Sequence, residues 1–218
     1  MTSEQVLLVL WYKCHGDIGK VQQAIADREQ VSDQEVNDVE KIVADLGYKY
    51  TTILRTYPNC SSEIDSVPTV LFYKGDINLF STKLWNLVML GSRSKEVCSA
   101  VLSEAVETLL IYDFESNTIY DAHEKFHVTN WIFYPSKTES RIKSMIYMLS
   151  RMTDAMVVGK SRGHENDVND ALQFWKRKGS IPTTAGCEGI NNQLIRDGGC
   201  LMITEPADIS TLLSEQEE

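Results

Sequence analysis

Residues 86–110 predict a strand, a turn and a helix in direct succession. A mainly apolar run ends at Leu90, Gly91-Ser92-Arg93-Ser94 follows, and apolar residues then recur at helical spacing. In open α/β sheets such turns gather at the carboxyl ends of the strands, where ligands bind. Backbone N–H groups at a helix start, a glycine that permits close approach and an arginine fork all favour an anion there. The segment therefore predicts a phosphate-binding turn.

Strand and helix patterns alternate along the rest of the chain. The predicted strands lie near 69–73, 86–90, 129–133, 154–158, 180–182 and 200–203, and the predicted helices near 95–110, 138–151, 165–178 and 189–196. This alternation favours an α/β fold, a Rossmann-like, mainly parallel sheet with helices on both faces.

A small all-helical module precedes the predicted sheet. Its helices are expected at Gln5–Lys13, Ile18–Ala26 and Asp33–Leu46, the last opened by the capping box that Ser32 and Glu35 form. The turn 16–20 resembles that of a helix-hairpin-helix unit, although an ordinary helix–helix turn fits the same residues. An extended connector is predicted from Tyr48 to Pro58. We expect a helical module at 1–56, a Rossmann-like domain at 57–204 and an acidic tail at 205–218 that frays from Ser210 onward.

Charge and cysteine usage limit the classes of function. The net charge is −10, yet residues 85–204 carry 13 basic and 14 acidic side chains, so this part is nearly neutral. A local basic patch is compatible with that balance. The five scattered cysteines predict neither a disulfide framework nor a zinc knuckle. No apolar run is long enough to span a membrane and no signal peptide is recognisable, so we expect a cytoplasmic protein with no membrane partner.

Several of these segments resemble one protein family. Tyr57-Pro58, the Pro68–Gly75 stretch with its Leu-Phe-Tyr-Lys-Gly end, Gly91-Ser92-Arg93 and the Asn192–Gly199 segment are similar to motifs of the DprA (Smf) family of DNA-processing proteins. The resemblance implies a Rossmann-like fold, single-stranded DNA as partner, and a non-enzymatic role in recombination and natural transformation (competence). It also implies a homodimer that loads a RecA-type recombinase, without a cofactor. The family's glycine-rich Ser-Gly-x-Ala-x-Gly segment has no counterpart here, which makes the chain a shortened and diverged relative.

The turn, the resemblance and the distribution of cations together name the candidate phosphate-contacting residues. These are Gly91, Ser92, Arg93, Ser94, Lys137, Arg141, Lys143, Lys160, Arg162, Gly163 and Asn192. A track of cations of this kind follows a nucleic-acid backbone. The alternative for the lysines and arginines beyond Arg93 is a set of solvated surface charges.

Residues 123–127 spell the His-Glu-x-x-His pattern of zinc hydrolases. In those enzymes the two histidines lie one helical turn apart and the glutamate activates water. Here His127 is followed at once by a strand-like segment, so we expect no metal at His123, Glu124 and His127 and no catalytic residues. Two alternatives to DNA binding stay open. One is a protein that binds or hydrolyses a nucleotide or phosphorylated nucleoside, and the other is a degenerate interaction scaffold.

Overall fold

Three capped helices open the chain. The computed structural model describes residues 1–55, 67–81, 85–91, 108–130, 139–159, 161–183 and 189–214. Helices α1 (Ser3–Lys13), α2 (Ile18–Ala26) and α3 (Asp33–Asp45) confirm the predicted helical module. Thr2 and Ser32 open α1 and α3 as capping boxes, because each hydroxyl accepts a backbone N–H that the first helical turn leaves unpaired. Their apolar sides form one core with Val70 and Phe72 of the sheet.

Nine strands form one sheet within the described residues. They are β1 (Lys49–Thr52), β2 (Val70–Gly75), β3 (Trp85–Leu90), β4 (Leu109–Asp113), β5 (Thr118–Asp121), β6 (Phe126–Thr129), β7 (Thr153–Val158), β8 (Arg177–Ser180) and β9 (Leu201–Met202). Their spatial order is β1-β2-β6-β5-β4-β3-β7-β8-β9. The pairs β4–β3, β3–β7, β7–β8 and β8–β9 are parallel. The pairs β1–β2, β2–β6, β6–β5 and β5–β4 are antiparallel.

Helices cover both faces of this sheet, as the sequence predicts. The later helices are the single turn α4 (Asn78–Ser81), α5 (Glu139–Met152), α6 (Glu165–Ala171), α7 (Ile190–Arg196) and α8 (Pro206–Ser214). Alternate residues of β3 show the division: Val88 and Leu90 join the core beneath α5 to α7, whereas Leu87 and Met89 join the core beneath α8. Because successive side chains of a strand point to opposite faces of the sheet, β3 contributes to both cores. No described helix has the length and apolar character that a membrane crossing requires.

The antiparallel half of the sheet is the main departure from the predicted elements. Strand β1 occupies the predicted connector, where Thr51 and Thr52 pair with β2. The predicted helix 95–110 overlaps the start of β4, and its residues 95–107 lie outside the described part. Leu109 fits the helical stripe of that segment, but its pairing with Leu87 in the parallel ladder determines its conformation. Strand β6 (Phe126–Thr129) begins before the predicted strand 129–133 and shares only Thr129 with it, and residues 131–133 lie outside the described part.

Two predictions near the carboxyl end are also wrong in extent. The predicted helix 165–178 ends at Ala171, and a short 3₁₀ turn leads into β8 at Arg177. Arg177 and Lys178 favour helix locally, but pairing with β7 overrides that preference. The predicted tail does not fray at Ser210, because α8 continues to Ser214 with Ile209 and Leu212 fully buried. The domain division at residue 56 stays a prediction.

Candidate nucleic-acid interface

The carboxyl ends of β3 and β7 lie side by side at a point where the strand order changes direction. Strand β3 has β4 on one side and β7 on the other, and Leu90 pairs with Val158 at the last register position of both strands. The chain therefore leaves β3 toward one side of the sheet, and β7 lies on the other side. Open α/β sheets bind ligands in the crevice at such a switch point.

A glycine follows each of these two strands. Gly91 is buried with φ of 135°, a backbone conformation that favours glycine, and its N–H donates to the carbonyl oxygen of Tyr112 at 2.9 Å. The N–H of Gly159 donates to the carbonyl oxygen of Leu90 at 2.8 Å. A Cβ at Gly159 would come within 3.1 Å of the Met89 sulfur. Both turns therefore pack closely against the edge of the sheet.

Within the described part of the turn after β7, Arg162 comes to this edge. Arg162 is exposed, between the buried Ser161 and Gly163, which has φ of 82° with open space around its Cα. The carboxylate of Glu165 accepts the N–H of Gly163 at 3.1 Å. Backbone N–H groups of Glu165 itself and of Gly163 lower the pKa of that carboxyl. The turn is therefore held by Glu165, and the arginine is presented to solvent.

Asn191, a residue that the sequence analysis did not select, holds the strand ends together. Its side-chain nitrogen donates to the carbonyl oxygens of Val158, Gly159 and Ile181 at 3.0, 2.8 and 3.1 Å. Its side-chain oxygen accepts the Ser161 hydroxyl at 3.1 Å. Since Asn191 is only 2% exposed, it acts on the ligand edge through the backbone it positions. The available sequence signal was the pair Asn191-Asn192 at the start of a helix, but the sequence alone does not show which of these two side chains holds the strand ends.

Asn192 and Lys143, both predicted contacts, have protein partners. The side-chain oxygen of Asn192 accepts the N–H of Thr183 at 3.0 Å, and its nitrogen donates to the Thr183 carbonyl at 3.3 Å. It is half-buried at the start of α7, next to the end of β8. Lys143 of α5 forms a 3.0 Å ion pair with Asp170 of α6. Both residues therefore have a partner within the protein, and their contact with a ligand stays a prediction.

A buried polar network lies behind the end of β4. The Tyr112 hydroxyl donates to the side-chain oxygen of Asn117, and the side-chain nitrogen of Asn117 donates to the side-chain oxygen of Asn130. Burial raises the pKa of Tyr112 well above its usual range, so it stays protonated as a donor. Nearby, the His164 ring stacks on Phe114, with ring centroids 5.0 Å apart. These contacts fix the β4 end and the start of α6 around the crevice.

The remaining predicted contacts are not among the residues that the structure describes in full. Ser92, Arg93, Ser94, Lys137 and Lys160 lie outside the described residues, as does the side chain of Arg141, whose backbone belongs to α5. The described structure thus brings Gly91, Arg162 and Gly163 to one sheet edge.

The His-Glu-x-x-His segment is not helical. His123 and Glu124 lie in the turn between β5 and β6, where Glu124 has φ of 57°, and His127 lies within β6. The Nε2 atom of His127 is 3.2 Å from the Tyr48 hydroxyl, and burial followed by the nearby Lys74 lowers the pKa of His127. The segment therefore lacks the helical spacing that zinc hydrolases use. Among the residues described, no group of three or more His, Cys, Asp and Glu is placed to hold a metal ion.

Within the turn 16–20, the Asp17 side chain caps the start of α2. The Asp17 carboxylate accepts the N–H of Lys20 at 3.1 Å at the start of α2. This N–H at the helix start therefore already has a partner within the chain, which favours the ordinary helix–helix turn.

Together these features define a Rossmann-like α/β protein with a helical module at its start and a candidate ligand edge at the β3–β7 switch point. Comparison with solved structures finds individual proteins that have a similar fold. The chain is similar to DNA processing protein A (DprA) from Streptococcus pneumoniae, with a TM-score of 0.51 and 17% identity over 100% of this chain and 94% of that one. It is also similar to DprA from Helicobacter pylori, from a study of its single-stranded DNA binding mode, with a TM-score of 0.55 and 14% identity over 78% of this chain and 98% of that one.

This likeness confirms the DprA-like fold that the motifs predicted. No protein-family model matches the chain, and no curated protein matches it in sequence. At 14–17% identity the likeness establishes the fold, and the binding activity has to be argued from the site.

Proposed function

We propose that the protein binds single-stranded DNA along the switch-point edge between β3 and β7. One observation carries the proposal: the glycine turns after these two strands are adjacent in a fold shared with DprA, and one of them exposes Arg162. The glycines let a phosphate approach the backbone, and the arginine supplies charge and a planar donor fork. Arg93, two residues beyond Gly91 in sequence, is proposed as the second phosphate contact.

Binding of labelled oligonucleotides to charge-matched variants tests this proposal. Fluorescence anisotropy would compare the wild type with Arg93→Ala, Arg162→Ala and the control Lys41→Ala, which removes an exposed cation from α3. We expect each arginine variant to bind about tenfold more weakly at low salt, with Lys41→Ala unchanged. Each lost contact should also reduce the slope of log K against log salt by about 0.7, the value for single strands. Equal losses in all three variants would mean that only net charge matters.

In the cell we propose a non-enzymatic role in recombination or transformation, in which a cytoplasmic homodimer loads a RecA-type recombinase onto single-stranded DNA. The likeness to DprA along the whole chain supports this role. Light scattering tests the dimer. A recombinase-loading assay on strands coated with single-strand-binding protein tests the rest, and a protein that binds DNA without accelerating loading would contradict it.

A nucleotide or phosphorylated nucleoside is the second candidate ligand. Switch-point crevices accommodate mononucleotides, and a net charge of −10 disfavours a long polyanion more than a small one. This alternative predicts that AMP raises the melting temperature more than an equal concentration of phosphate does, and that oligonucleotides compete poorly with AMP. The DNA proposal predicts the reverse order of competition.

A further inference from the structure

A row of polar side chains crosses the antiparallel half of the sheet, on strands that the DNA proposal does not use. Lys74 of β2 pairs with His127 of β6, and His127 pairs in turn with Tyr120 of β5, so these side chains lie next to one another on one face. The flanking residues Val128 and Ile119 point to the opposite face, into the core beneath α5 to α7. The row therefore lies on the face of the sheet that carries α1 to α3 and α8.

Tyr48 joins this row and completes a cluster of side chains. Its hydroxyl lies 3.2 Å from the Nε2 atom of His127, and the two rings meet edge to face with centroids 5.4 Å apart. The Nζ atom of Lys74 lies 4.1 Å from the centroid of the Tyr48 ring, and the Tyr120 ring centroid lies 5.7 Å from that of His127. Tyr48, Tyr120 and His127 are half-buried and Lys74 is exposed, so the cluster borders solvent. We call Tyr48, Lys74, Tyr120 and His127 the Lys74 cluster.

The Lys74 cluster carries a positive charge with which no described carboxylate pairs. None of the ion pairs between described residues includes Lys74. The described titratable groups that face His127 are Tyr48 from the segment before β1, Lys74 from β2 and Tyr120 from β5. Burial, and then Lys74, lowers the pKa of His127, while burial, and then Tyr120, raises the pKa of Tyr48. At neutral pH a cation therefore lies beside an uncharged imidazole and an uncharged phenol, a setting that attracts an anion.

The hydrogen bond between Tyr48 and His127 can reverse its direction when an anion binds. With His127 neutral and its proton on Nδ1, the Tyr48 hydroxyl donates to Nε2. With His127 protonated, the Nε2–H donates to the Tyr48 oxygen and leaves the O–H for another acceptor. An anion favours this second arrangement, because it pairs with the imidazolium and accepts the Tyr48 O–H. A phosphate monoester suits these groups best, since it carries a charge of about −1.5 to −2 at pH 7 and three strong acceptor oxygens, whereas a carboxylate or a backbone phosphodiester carries a single charge.

We propose that the Lys74 cluster binds a phosphate monoester. Lys74 and protonated His127 pair with its charges, the Tyr48 hydroxyl donates to one of its oxygens, and the proton on His127 comes from solvent. Two sources share this chemistry, the 5′-phosphate of a DNA strand and a free phosphorylated metabolite, and the experiments separate them. The proposal is independent of the DNA site, because it uses none of the residues at the switch-point edge.

An NMR titration with sulfate tests the site without any assumption about the source. Sulfate stays a dianion over the range in which histidine titrates, and the chain has four histidines, so the signal that is absent in His127→Gln identifies His127. We expect sulfate, compared with chloride at equal ionic strength, to raise the pKa of His127 in the wild type and in Lys49→Ala, but much less in Lys74→Ala. Lys49 is the matched control, because it is exposed on the neighbouring strand β1 with its side chain on the opposite face. No rise in the wild type, or an equal rise in Lys74→Ala, would overturn the proposal.

Calorimetry at several pH values then tests the contacts. Because anion binding raises the pKa of His127, sulfate should bind more tightly as the pH falls through that pKa. This dependence should vanish in His127→Gln and persist in His123→Gln, which alters an exposed histidine between β5 and β6. Tyr48→Phe keeps the ring beside Lys74 and removes the hydroxyl, so the affinity should fall about three- to tenfold, the effect of one hydrogen bond. A pH dependence that survives in His127→Gln, or an unchanged affinity in Tyr48→Phe, contradicts the proposal. Circular dichroism confirms that each variant is folded.

Two further probes identify the source of the phosphate. Oligonucleotides of one sequence, with a 5′-phosphate or a 5′-hydroxyl, are compared with ribose 5-phosphate as the free metabolite. A preference of about tenfold or more for the 5′-phosphate, lost in Lys74→Ala, assigns the site to DNA ends. Binding of ribose 5-phosphate without that preference, lost in the same variant, assigns it to a metabolite, and the absence of both overturns the proposal. Arg162→Ala should leave the effect of sulfate on His127 unchanged, which distinguishes a failure here from a failure of the DNA site.

Discussion

At the level of single residues, Gly75 and Gly163 share a positive φ but differ in their surroundings. Gly75 has φ of 93°, and a Cβ there would come within 2.1 Å of the Lys125 carbonyl oxygen, in the backbone of the adjacent segment. Gly163 has φ of 82° and no heavy atom within 4 Å of such a Cβ. The first glycine is required by space and conformation, and the second by conformation alone.

We predict that Gly75→Ala destabilises the protein much more than Gly163→Ala. Alanine at 163 incurs the left-handed backbone penalty, about 1–2 kcal/mol. Alanine at 75 adds a clash with a backbone that a rotamer change cannot relieve, so the loss should exceed about 3 kcal/mol. Urea unfolding of both variants measures the difference in the free energy of unfolding, and equal losses would contradict the tight approach at Gly75.

The Asn191 side chain offers a second residue-level prediction. Asn191→Ala removes the side-chain partner of the Gly159 and Ile181 carbonyl groups and of the Ser161 hydroxyl, and one of the two partners of the Val158 carbonyl, so it should lower the free energy of unfolding by about 2–4 kcal/mol. Asn192→Ala removes the bonds to Thr183 at a half-buried position and should cost about 1 kcal/mol. Denaturant titration compares them, and a milder effect for Asn191→Ala would contradict its role in holding the strand ends.

At the level of elements, the cap of α3 gives the stability a dependence on pH. The pKa of Glu35 is lowered to about 2 by the N–H and hydroxyl of Ser32, and then by Lys13. A carboxyl with a lowered pKa in the folded state stabilises the protein above its unfolded pKa, about 4.3, and that contribution is lost as the pH falls. The cap therefore contributes fully at neutral pH.

We predict that Glu35→Ala is less stable than the wild type at pH 7, and that the difference shrinks as the pH falls from about 4.5 to 2. Thermal unfolding at several pH values measures the difference. Asp38→Ala, which removes an exposed carboxylate from the same helix, serves as the control. A difference that is constant over this range would show that the charge of Glu35 contributes nothing to the cap.

The sequence predicts some helices and strands well and others poorly. Helix α2 and most of α1 and α3 follow from local signals, because caps and apolar spacing act within a few residues. Strand β4 was missed, and β8 was predicted too late in the chain, at 180–182, because the partners β3 and β7 decide the conformation of these strands across more than 20 residues of chain. Helix α8 was missed because the acidic residues around it masked the spacing of Ile209 and Leu212.

For the candidate site, the sequence could predict the placement of some residues, while their role in binding stays a prediction. Gly91, Arg162 and Gly163 lie at one edge because they follow parallel strands, a property that strand patterns and turn residues encode. Asn191 could not be found in this way. Its importance arises from three carbonyl groups that are 10 to 33 residues away in the chain, and these converge only in the folded sheet.

At the level of the whole molecule, two halves of one sheet have different neighbours. The antiparallel half packs against α1 to α3, through Val70 and Phe72, whereas the parallel half bears the ligand edge.

Photo-crosslinking tests the central claim, DNA binding at the switch-point edge, most directly. Oligonucleotides that contain 4-thiothymidine would be irradiated in complex with the full chain, and the cross-linked peptides identified by mass spectrometry. We predict cross-links in the segments that follow β3 and β7, at 91–94 and 159–163, which disappear when unlabelled oligonucleotide competes. Cross-links confined to α1, α2 and α3, or none above the background without irradiation, would contradict the account.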